Sequence, residues 1–449
     1  MSSNAQPTVR LHQVPASKST RNGKYDSLVR PDGLVHRTLF TDPAIFQEEM
    51  TKIFGGTWVF LLHETEIPNP DDFKSITVGL RPVIVTRDSE GNIHALMNRC
   101  SHRGAMVNAE EKGNTKRFRC PYHGWNFNNN GELAAVPYAD GYPDTFDKQA
   151  HNLGRFPRLE SYRGYVFASL NADVEPLLEW IGPAKEVFDW SMDSAMKHGM
   201  RVVKSATTVF HGNWKMQNDN NGDMYHVPFT HRSVLNMAKE RYGSGKSLDH
   251  FKSDDSPMYV SDLTHGHKLI DQRPSLKTPW DQAVPVPGRE SYSQKLIDDL
   301  GLEKAREFLH MTGRAGINLI LYPNIVIVGG GSFNVYEPVS VDKTYVHLYT
   351  VILDDAPPEM NTLRLRFAED FVYTGNRDDN EVFERMQIAL TTIPEMEWVD
   401  LSKGMGTGRE SLQPDGSTRG NISDETGIRA SYGRWIELMS SDIKTSVVF

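Results

Sequence analysis

Two stretches, Cys100-Ser101-His102 and Cys120-Pro121-Tyr122-His123, carry most of the information in this 449-residue chain. They form the pattern C-x-H followed by C-x-x-H, with 17 residues between His102 and Cys120. The chain has only 2 cysteines, so none is left for a disulfide or a separate nucleophile. Two thiolates and two imidazoles at this spacing predict a metal centre with four protein ligands.

The order of these ligands bears on the metal. Structural zinc sites usually pair Cys with Cys and His with His, whereas here each loop offers one sulfur and one nitrogen. A Rieske [2Fe-2S] centre needs two thiolates on one iron and two imidazoles on the other, which two such loops supply. We therefore predict a Rieske cluster held by Cys100, His102, Cys120 and His123, with a structural zinc knuckle as the alternative.

The loops and the chain length indicate the kind of Rieske protein. His102-Arg103-Gly104 and His123-Gly124-Trp125 resemble the loops of Rieske ferredoxins and oxygenases. Rieske proteins of respiratory complexes usually add a second cysteine pair, which this chain lacks. A Rieske ferredoxin needs about a hundred residues, and this chain is long enough for two or three domains.

Composition excludes several classes of protein. The net charge of −9 does not favour a nucleic-acid partner. The sequence has no run of about 18 apolar residues, so we predict no membrane span. Residues 1–10 lack the apolar core of a secretory signal. Because both cysteines are candidate metal ligands and no disulfide framework exists, we expect a cytoplasmic protein.

The strand and helix patterns divide the chain into three parts. Residues 1–35 are polar and predict an N-terminal arm, and residues 36–171 are rich in short strands and turns and hold both cysteine loops. Residues 172–449 alternate helical patterns with long strands such as 202–210 and 344–353, and residues 378–397 have helical spacing. The predicted fold class is α+β: a small antiparallel-β Rieske domain and a larger catalytic domain with an antiparallel sheet covered by helices.

A second metal site is predicted in the larger domain. His226 and His231 are five residues apart, and Pro228 between them disfavours a regular helix and could turn both rings toward one point. A histidine pair alone is a weak signal, but a one-electron cluster on the same chain implies something to reduce. Mononuclear iron that activates O2 commonly has two His, one carboxylate and open positions.

With these residues in place, the chain resembles the catalytic α subunit of Rieske non-haem iron aromatic-ring-hydroxylating oxygenases over roughly residues 36–400. The family's carboxylate ligand lies in a D-x4-E-x2-Q context, which Asp379, Glu384 and Gln387 match, and Asp378 is the alternative ligand. Taken alone, this stretch is typical of an acidic helix start. The resemblance implies a mononuclear Fe(II) held by His226, His231 and Asp379.

The resemblance also assigns roles around the first histidine. Asp223 matches an aspartate that links a Rieske histidine of one subunit to an iron-ligating histidine of the next, here His123 to His226. Asn220 matches a residue near the iron. The family usually has Glu-Asn where this chain has Asp219-Asn220, so the acid is retained but shortened.

The implied reaction is cis-dihydroxylation of an aromatic ring with O2. The resemblance implies electrons from NADH through a separate reductase, with or without a ferredoxin, and an α3 or α3β3 oligomer with a small β subunit. Segments 141–143, 160–165 and 169–177 resemble the benzoate and toluate dioxygenase branch, which favours a benzoate-, anthranilate- or salicylate-type acid as substrate. Two alternatives stay open: a Rieske monooxygenase or demethylase with the same ligands, and an electron carrier without mononuclear iron.

Overall fold

The computed structural model describes most of the chain. The described residues are 23–193, 199–233, 235–236, 258–273, 294–295, 297–299, 301–303, 305, 316–328, 332–354 and 358–449. Residues 1–22 of the predicted arm and most of the segment 240–315, which we expected to roof the pocket, lie outside them. Within the described ranges, no helix has the length and apolar character needed to cross a membrane.

The first part of the chain is built from short antiparallel strands around the cysteine loops. One sheet has the order β5-β4-β3-β6 and another the order β7-β8-β9. A tight turn joins β4 to β5, where Asp88 Oδ1 accepts the backbone N–H groups of Glu90 and Asn92. The strands are β1 (Leu34–His36), β2 (Val59–His63), β3 (Asp72–Val78), β4 (Arg81–Arg87), β5 (Ile93–Met97), β6 (Lys112–Asn114), β7 (Arg117–Arg119), β8 (Asn126–Asn128) and β9 (Leu133–Ala135).

A three-stranded sheet and two helices connect this part to the rest. The sheet has the order β10-β11-β2, with β10 at Arg158–Tyr162 and β11 at Tyr165–Ser169. Strand β11 is buried along its whole length because the aromatic rings of Tyr165 and Phe167 pack against Phe60 of β2. The helices are α1 (Thr38–Thr41), α2 (Pro43–Lys52), α3 (Leu177–Ile181) and α4 (Ala184–Asp193).

A nine-stranded antiparallel sheet forms the centre of the larger part. Its order is β12-β18-β17-β16-β15-β14-β13-β21-β20. The strands predicted at 202–210 and 344–353 are confirmed as β12 and β18, which pair with each other. The bounds of the nine strands are β12 (Met200–Phe210), β13 (Tyr259–Asp262), β14 (Lys268–Asp271), β15 (Ile317–Leu321), β16 (Ile325–Val328), β17 (Ser332–Ser340), β18 (Lys343–Leu353), β20 (Ser411–Leu412) and β21 (Thr418–Asn421). Strand β19 (Trp398–Asp400) belongs to a separate two-stranded sheet.

Helices cover this sheet, and one of them corrects the sequence prediction. The helix predicted at 378–397 runs instead from Pro358 to Thr392. Asp379 therefore lies about six turns inside a long helix, and the prediction of an acidic helix start there is wrong. The helices of this part whose bounds are fully described are α5 (Trp214–Asn220), α6 (Val227–Thr230), α7 (Pro358–Thr392) and α8 (Thr426–Ser440). The α+β class is confirmed.

The N-terminal residues pack against the larger part as well as against the strands around the cysteine loops, where Arg81 of β4 donates to the carbonyl of Met50. Strand β1 pairs with β19, and the buried ring of Tyr25 contacts Trp435 of α8 edge-on. Helix α2 begins after Asp42, whose carboxylate caps the backbone N–H of Ala44. Glu49 of the same helix is completely buried and accepts hydrogen bonds from the indole groups of α5 and α8. The division of the chain at residues 36 and 172 stays a prediction.

Candidate metal centres

The two cysteine loops have the same internal hydrogen bonds. In each loop the cysteine carbonyl accepts the N–H of a glycine four residues later, Gly104 or Gly124. Each cysteine N–H donates to the carbonyl of the residue that follows this glycine, Ala105 or Trp125. Both glycines have positive φ, 80° and 73°, which a side chain would disfavour. Each loop is thus a tight turn that holds its Cys and His on one side.

The four predicted cluster ligands converge in pairs. Cys100 and Cys120 are buried in one cluster of side chains, and the rings of His102 and His123 lie 4.6 Å apart. The indole of Trp125 stacks on His102 at 4.9 Å. This arrangement fits two sulfurs on one iron and two nitrogens on the other.

The pKa shifts of His102 and Cys100 bear on the binding of an iron–sulfur cluster by these loops. Burial, with the neighbouring His123 and Arg103 charges, lowers the pKa of His102, so its imidazole is neutral and free to bind a metal. His102 Nδ1 is buried and has no hydrogen-bond partner among the described residues. Burial raises the pKa of the Cys100 thiol, so binding of a cluster there must displace a proton.

The histidine pair flanks a single helical turn. Helix α6 has Pro228 in its first turn, where a missing N–H costs nothing. His226 precedes this turn and His231 follows it, so their rings come to 5.3 Å of each other. The rings are turned toward one point as expected, but Pro228 lies inside a helical turn, so the expectation that it would disfavour a helix there is wrong.

Asp379 of α7 completes a group of three. Its Oδ1 lies 3.1 Å from His231 Nε2 and 3.7 Å from His226 Nε2. One ligand atom from each of the three residues lies within 4.8 Å of the others. Asp379 is 3% exposed, and its Oδ1 has no hydrogen-bond partner among the described residues. Two His and one buried carboxylate with unused lone pairs fit the facial triad of a non-haem iron.

The neighbouring Asp378 occupies a different position. Its Oδ2 lies 3.6 Å from His231 Nδ1, on the side of that ring away from Asp379. Burial alone would lower the pKa of His231, but the neighbouring carboxylates of Asp379 and Asp378 raise it. A metal cation bound to Nε2 would take the place of the proton that these carboxylates attract.

Asp223 contacts the outer nitrogen of the first histidine. Asp223 Oδ2 lies 3.3 Å from His226 Nδ1, so the carboxylate can orient the ring whose Nε2 faces Asp379. Asn220 ends α5, and its carbonyl accepts the N–H of Asp223. His123 is exposed on the Rieske loop. The path from His123 to Asp223 would join two copies of the chain and stays a prediction.

Two motif residues have roles that the sequence did not reveal. Gln387 is buried; its Oε1 accepts the N–H of Asn213 at 3.0 Å, and its amide donates to the carbonyl of Phe40 at 3.1 Å. Glu384 accepts the N–H of His211 just before α5. The D-x4-E-x2-Q pattern therefore fixes α7 to the start of α5. Its spacing was the only available signal.

A cleft of about 340 Å³ lies elsewhere, between the Rieske strands and the large sheet. Lys74, Glu337 and Tyr349 are among the residues lining it, and none of the three grouped metal-site residues does so. This cleft is therefore separate from the His–Asp group. The roof expected from residues 240–315 falls mostly outside the described residues.

Two protein-family models match the chain. Residues 57–157 match the Rieske [2Fe-2S] domain, and residues 190–441 match the catalytic domain of the ring-hydroxylating alpha subunit. The first match contradicts the alternative of a structural zinc knuckle. The second covers more than half of the chain and includes all three residues of the His–Asp group.

The proteins similar to this chain include dioxygenase large subunits. The chain is 34% identical over 383 residues to the 2-halobenzoate 1,2-dioxygenase large subunit of Burkholderia cepacia, covering 82% of this chain and 79% of the relative. It is 32% identical to the toluate 1,2-dioxygenase subunit alpha of Pseudomonas putida, covering 81% of each. A solved naphthalene 1,2-dioxygenase with indole in its active site has a TM-score of 0.76 at 26% identity, covering 92% of this chain and 94% of that chain. The chain therefore belongs to the alpha subunits of the Rieske-type aromatic-ring-hydroxylating dioxygenases.

Proposed function

We propose that this oxygenase subunit cis-dihydroxylates the ring of an aromatic carboxylate of benzoate, anthranilate or salicylate type. The observation that carries the substrate class is the similarity to relatives named for 2-halobenzoate and toluate, both aromatic acids. Family membership itself establishes an aromatic ring-hydroxylating dioxygenase large subunit.

Membership of the family also defines the cofactors and the source of electrons. The subunit uses a Rieske [2Fe-2S] cluster and a mononuclear iron, and NADH supplies electrons through a reductase in these systems. The subunit is the large oxygenase component of a multicomponent system. When bound, the cluster transfers single electrons and the mononuclear iron activates O2.

In this proposal His226, His231 and Asp379 are the protein ligands of the mononuclear iron. The support is that both Nε2 atoms face the same buried carboxylate oxygen. Asp378 is instead assigned to orient His231, because its Oδ2 lies 3.6 Å from the Nδ1 atom of that ring. Asn220 ends the helix that leads to this group, and we assign it a place near the iron from its match to the family motif.

The electron path is proposed to cross a subunit boundary. Cys100, His102, Cys120 and His123 hold the cluster, and His123 is exposed for contact with another copy. Asp223 then accepts hydrogen bonds from His123 of one copy and His226 of the next, which keeps both rings oriented. A trimer of this chain, alone or with three small β subunits, satisfies this arrangement.

Metal analysis of three proteins tests the ligand assignment. Wild type purified without oxygen is expected to hold about three irons and about two acid-labile sulfides per chain. Asp379→Ala should retain about two irons, both sulfides and the Rieske EPR signal but lose O2 uptake. Asp378→Ala is the matched control and should keep the third iron. A third iron that remains in Asp379→Ala and is lost in Asp378→Ala would reverse the assignment.

A substrate panel tests the proposed chemistry. Chemically reduced protein, which needs no reductase for one turnover, is mixed with ¹⁸O2 and benzoate, anthranilate, salicylate or naphthalene. We expect O2 uptake with at least one acid to exceed that with naphthalene, and both labelled atoms to enter one product. A product with one labelled atom would favour the alternative hypothesis of a monooxygenase. A preference for naphthalene would contradict the proposal that the substrate is an aromatic carboxylate.

A further inference from the structure

Lys268 is a buried lysine near the segment that leads to His226. It begins strand β14, and its side chain is 0% exposed. Its ammonium has no hydrogen-bond partner among the described residues. Its nearest ion-pair partner is Asp219 of α5, with 3.8 Å between Nζ and Oδ1. A buried cation with so few contacts is costly and calls for a reason.

The stem of this lysine supports the backbone beside Asp223. A Cβ placed on Gly222 would lie 2.6 Å from Lys268 Cδ and 3.3 Å from its Nζ. On the other side, a Cβ on Gly427 of α8 would lie 3.2 Å from Lys268 Cβ. The lysine therefore passes between two glycine backbones, and the first glycine immediately precedes Asp223.

The surrounding charges explain why a cation lies here. Asp219 accepts a hydrogen bond from the hydroxyl of Tyr432 of α8 at 2.6 Å. The positive charges of Lys268 and Lys215 attract its carboxylate, and the negative charge of Asp223 repels it. Lys268 interacts favourably with both aspartates. It is thus the shared counter-charge of two carboxylates that would otherwise repel each other.

These groups titrate near neutral pH. Burial raises the pKa of Asp219 to about 6, although Lys268 and Tyr432 oppose the shift. Burial lowers the pKa of Lys268 to about 8, although both aspartates oppose that shift. The ionised pair therefore exists mainly between these two values.

We propose that Lys268 is a positioning residue for electron transfer: its ammonium neutralises Asp219 and Asp223 together, and its stem holds the Gly222 backbone so that Asp223 stays against His226. This inference rests on the proposed role of Asp223 between the two metal centres. Lys268 touches neither cluster nor substrate, and it acts through the segment it supports.

The test measures oxidation of the reduced Rieske cluster in one turnover across pH. The probe is O2 with whichever of benzoate, anthranilate or salicylate gives wild type the highest O2 uptake. Wild type should show a bell-shaped rate, falling below about pH 6 and above about pH 8 as Asp219 and Lys268 titrate. Lys268→Met, which keeps the stem length, should slow oxidation at least tenfold at pH 7, lose the alkaline limb and shift the acid limb to higher pH.

Three further variants separate the possible outcomes. Lys74→Met removes another buried lysine, which pairs with Glu66, and should lower stability without changing either limb. The double variant Lys268→Met with Asp219→Asn removes both charges, so it should fold even if the single variant does not, and it should lack both limbs. Asp223→Asn should itself abolish rapid cluster oxidation.

The results distinguish this inference from the proposal beneath it. If Asp223→Asn oxidises its cluster at the wild-type rate, the proposed electron path fails and the role of Lys268 fails with it. If Asp223→Asn is slow but Lys268→Met and the double variant keep both limbs and the wild-type rate, only the role of Lys268 is overturned.

Discussion

Replacing Glu49 with Gln should destabilise the chain strongly, although the residue is far from both metal centres in sequence. Glu49 is 0% exposed and accepts hydrogen bonds from Lys215 Nζ at 2.6 Å, Trp435 Nε1 at 2.7 Å and Trp214 Nε1 at 2.9 Å. Glutamine retains one acceptor oxygen, turns an NH2 group toward donors and leaves the buried ammonium of Lys215 without a counter-charge.

The expected cost follows from this loss. Removing one partner of a buried ion pair costs about 3–5 kcal/mol. Because 1 kcal/mol shifts the melting temperature by only about 1 °C in a chain of this length, the melting temperature should fall by about 3–5 °C. Burial already lowers the pKa of Lys215, and Glu49 opposes that shift. In Glu49→Gln the neutral amine is therefore favoured further, so the destabilisation should shrink as the pH rises toward the usual lysine pKa.

The assay is thermal and urea unfolding of holoprotein at neutral and alkaline pH. Glu48→Gln is the matched control, because Glu48 lies on the same helix, is one third exposed and pairs with Lys24 on the surface. Glu48 also accepts a hydrogen bond from the hydroxyl of Tyr25, which the amide oxygen of glutamine can still accept. A loss of about 1 kcal/mol or less is expected there. Adding Lys215→Met to Glu49→Gln should recover much of the stability, since both charges are then gone. A Glu49→Gln cost equal to that of Glu48→Gln, or one independent of pH, would refute the reasoning.

Three further perturbations test other contacts. Gln387→Leu leaves the buried N–H of Asn213 without its acceptor, which should cost about 1–3 kcal/mol in urea unfolding and lower the mononuclear iron content more than the sulfide content. Burial raises the pKa of Glu425 from 4.5 to about 7. The protonated carboxyl group therefore contributes fully to the free energy of unfolding below pH 4.5, and this contribution is lost as the pH rises through about 7. In Glu425→Gln the free energy of unfolding, measured across this pH range, should depend less on pH. Gly56→Ala places a Cβ 2.1 Å from a carbonyl oxygen of the preceding helix and should cost roughly 1–3 kcal/mol, whereas Gly433→Ala, with nothing within 4 Å, should leave the melting temperature unchanged or raise it.

The cluster ligands were the part of the structure that the sequence predicted best. Cys100 and His102 belong to one turn, and Cys120 and His123 to another, so each pair is determined by a few residues and one glycine of positive φ. Such turns are encoded locally, and the sequence was sufficient to predict the Rieske domain that the family match confirms.

Contacts between distant segments could not be read in the same way. The bond from Trp435 to Glu49 spans 386 residues, and no sequence period links them. Lys268 lies in a strand and looks like an ordinary surface charge until the fold buries it. The start of α7 was missed because Gly375 and Asn376 lower helix propensity within it, which made the acidic run at Asp378 resemble a new beginning.

The geometry of the His–Asp group depends on polar contacts made by its neighbours. Helix α6 is one turn of four residues, and a turn of that length has little stability of its own. Its histidines are held instead by Asp223 on one side and by α7, which packs against α6, on the other. Helix α7 is in turn fixed to α5 through Gln387, two turns beyond Asp379. A change at Gln387 should therefore reach the iron as a displacement of Asp379, and a change at Lys268 as a displacement of His226, so the two perturbations act on different ligands of the same site.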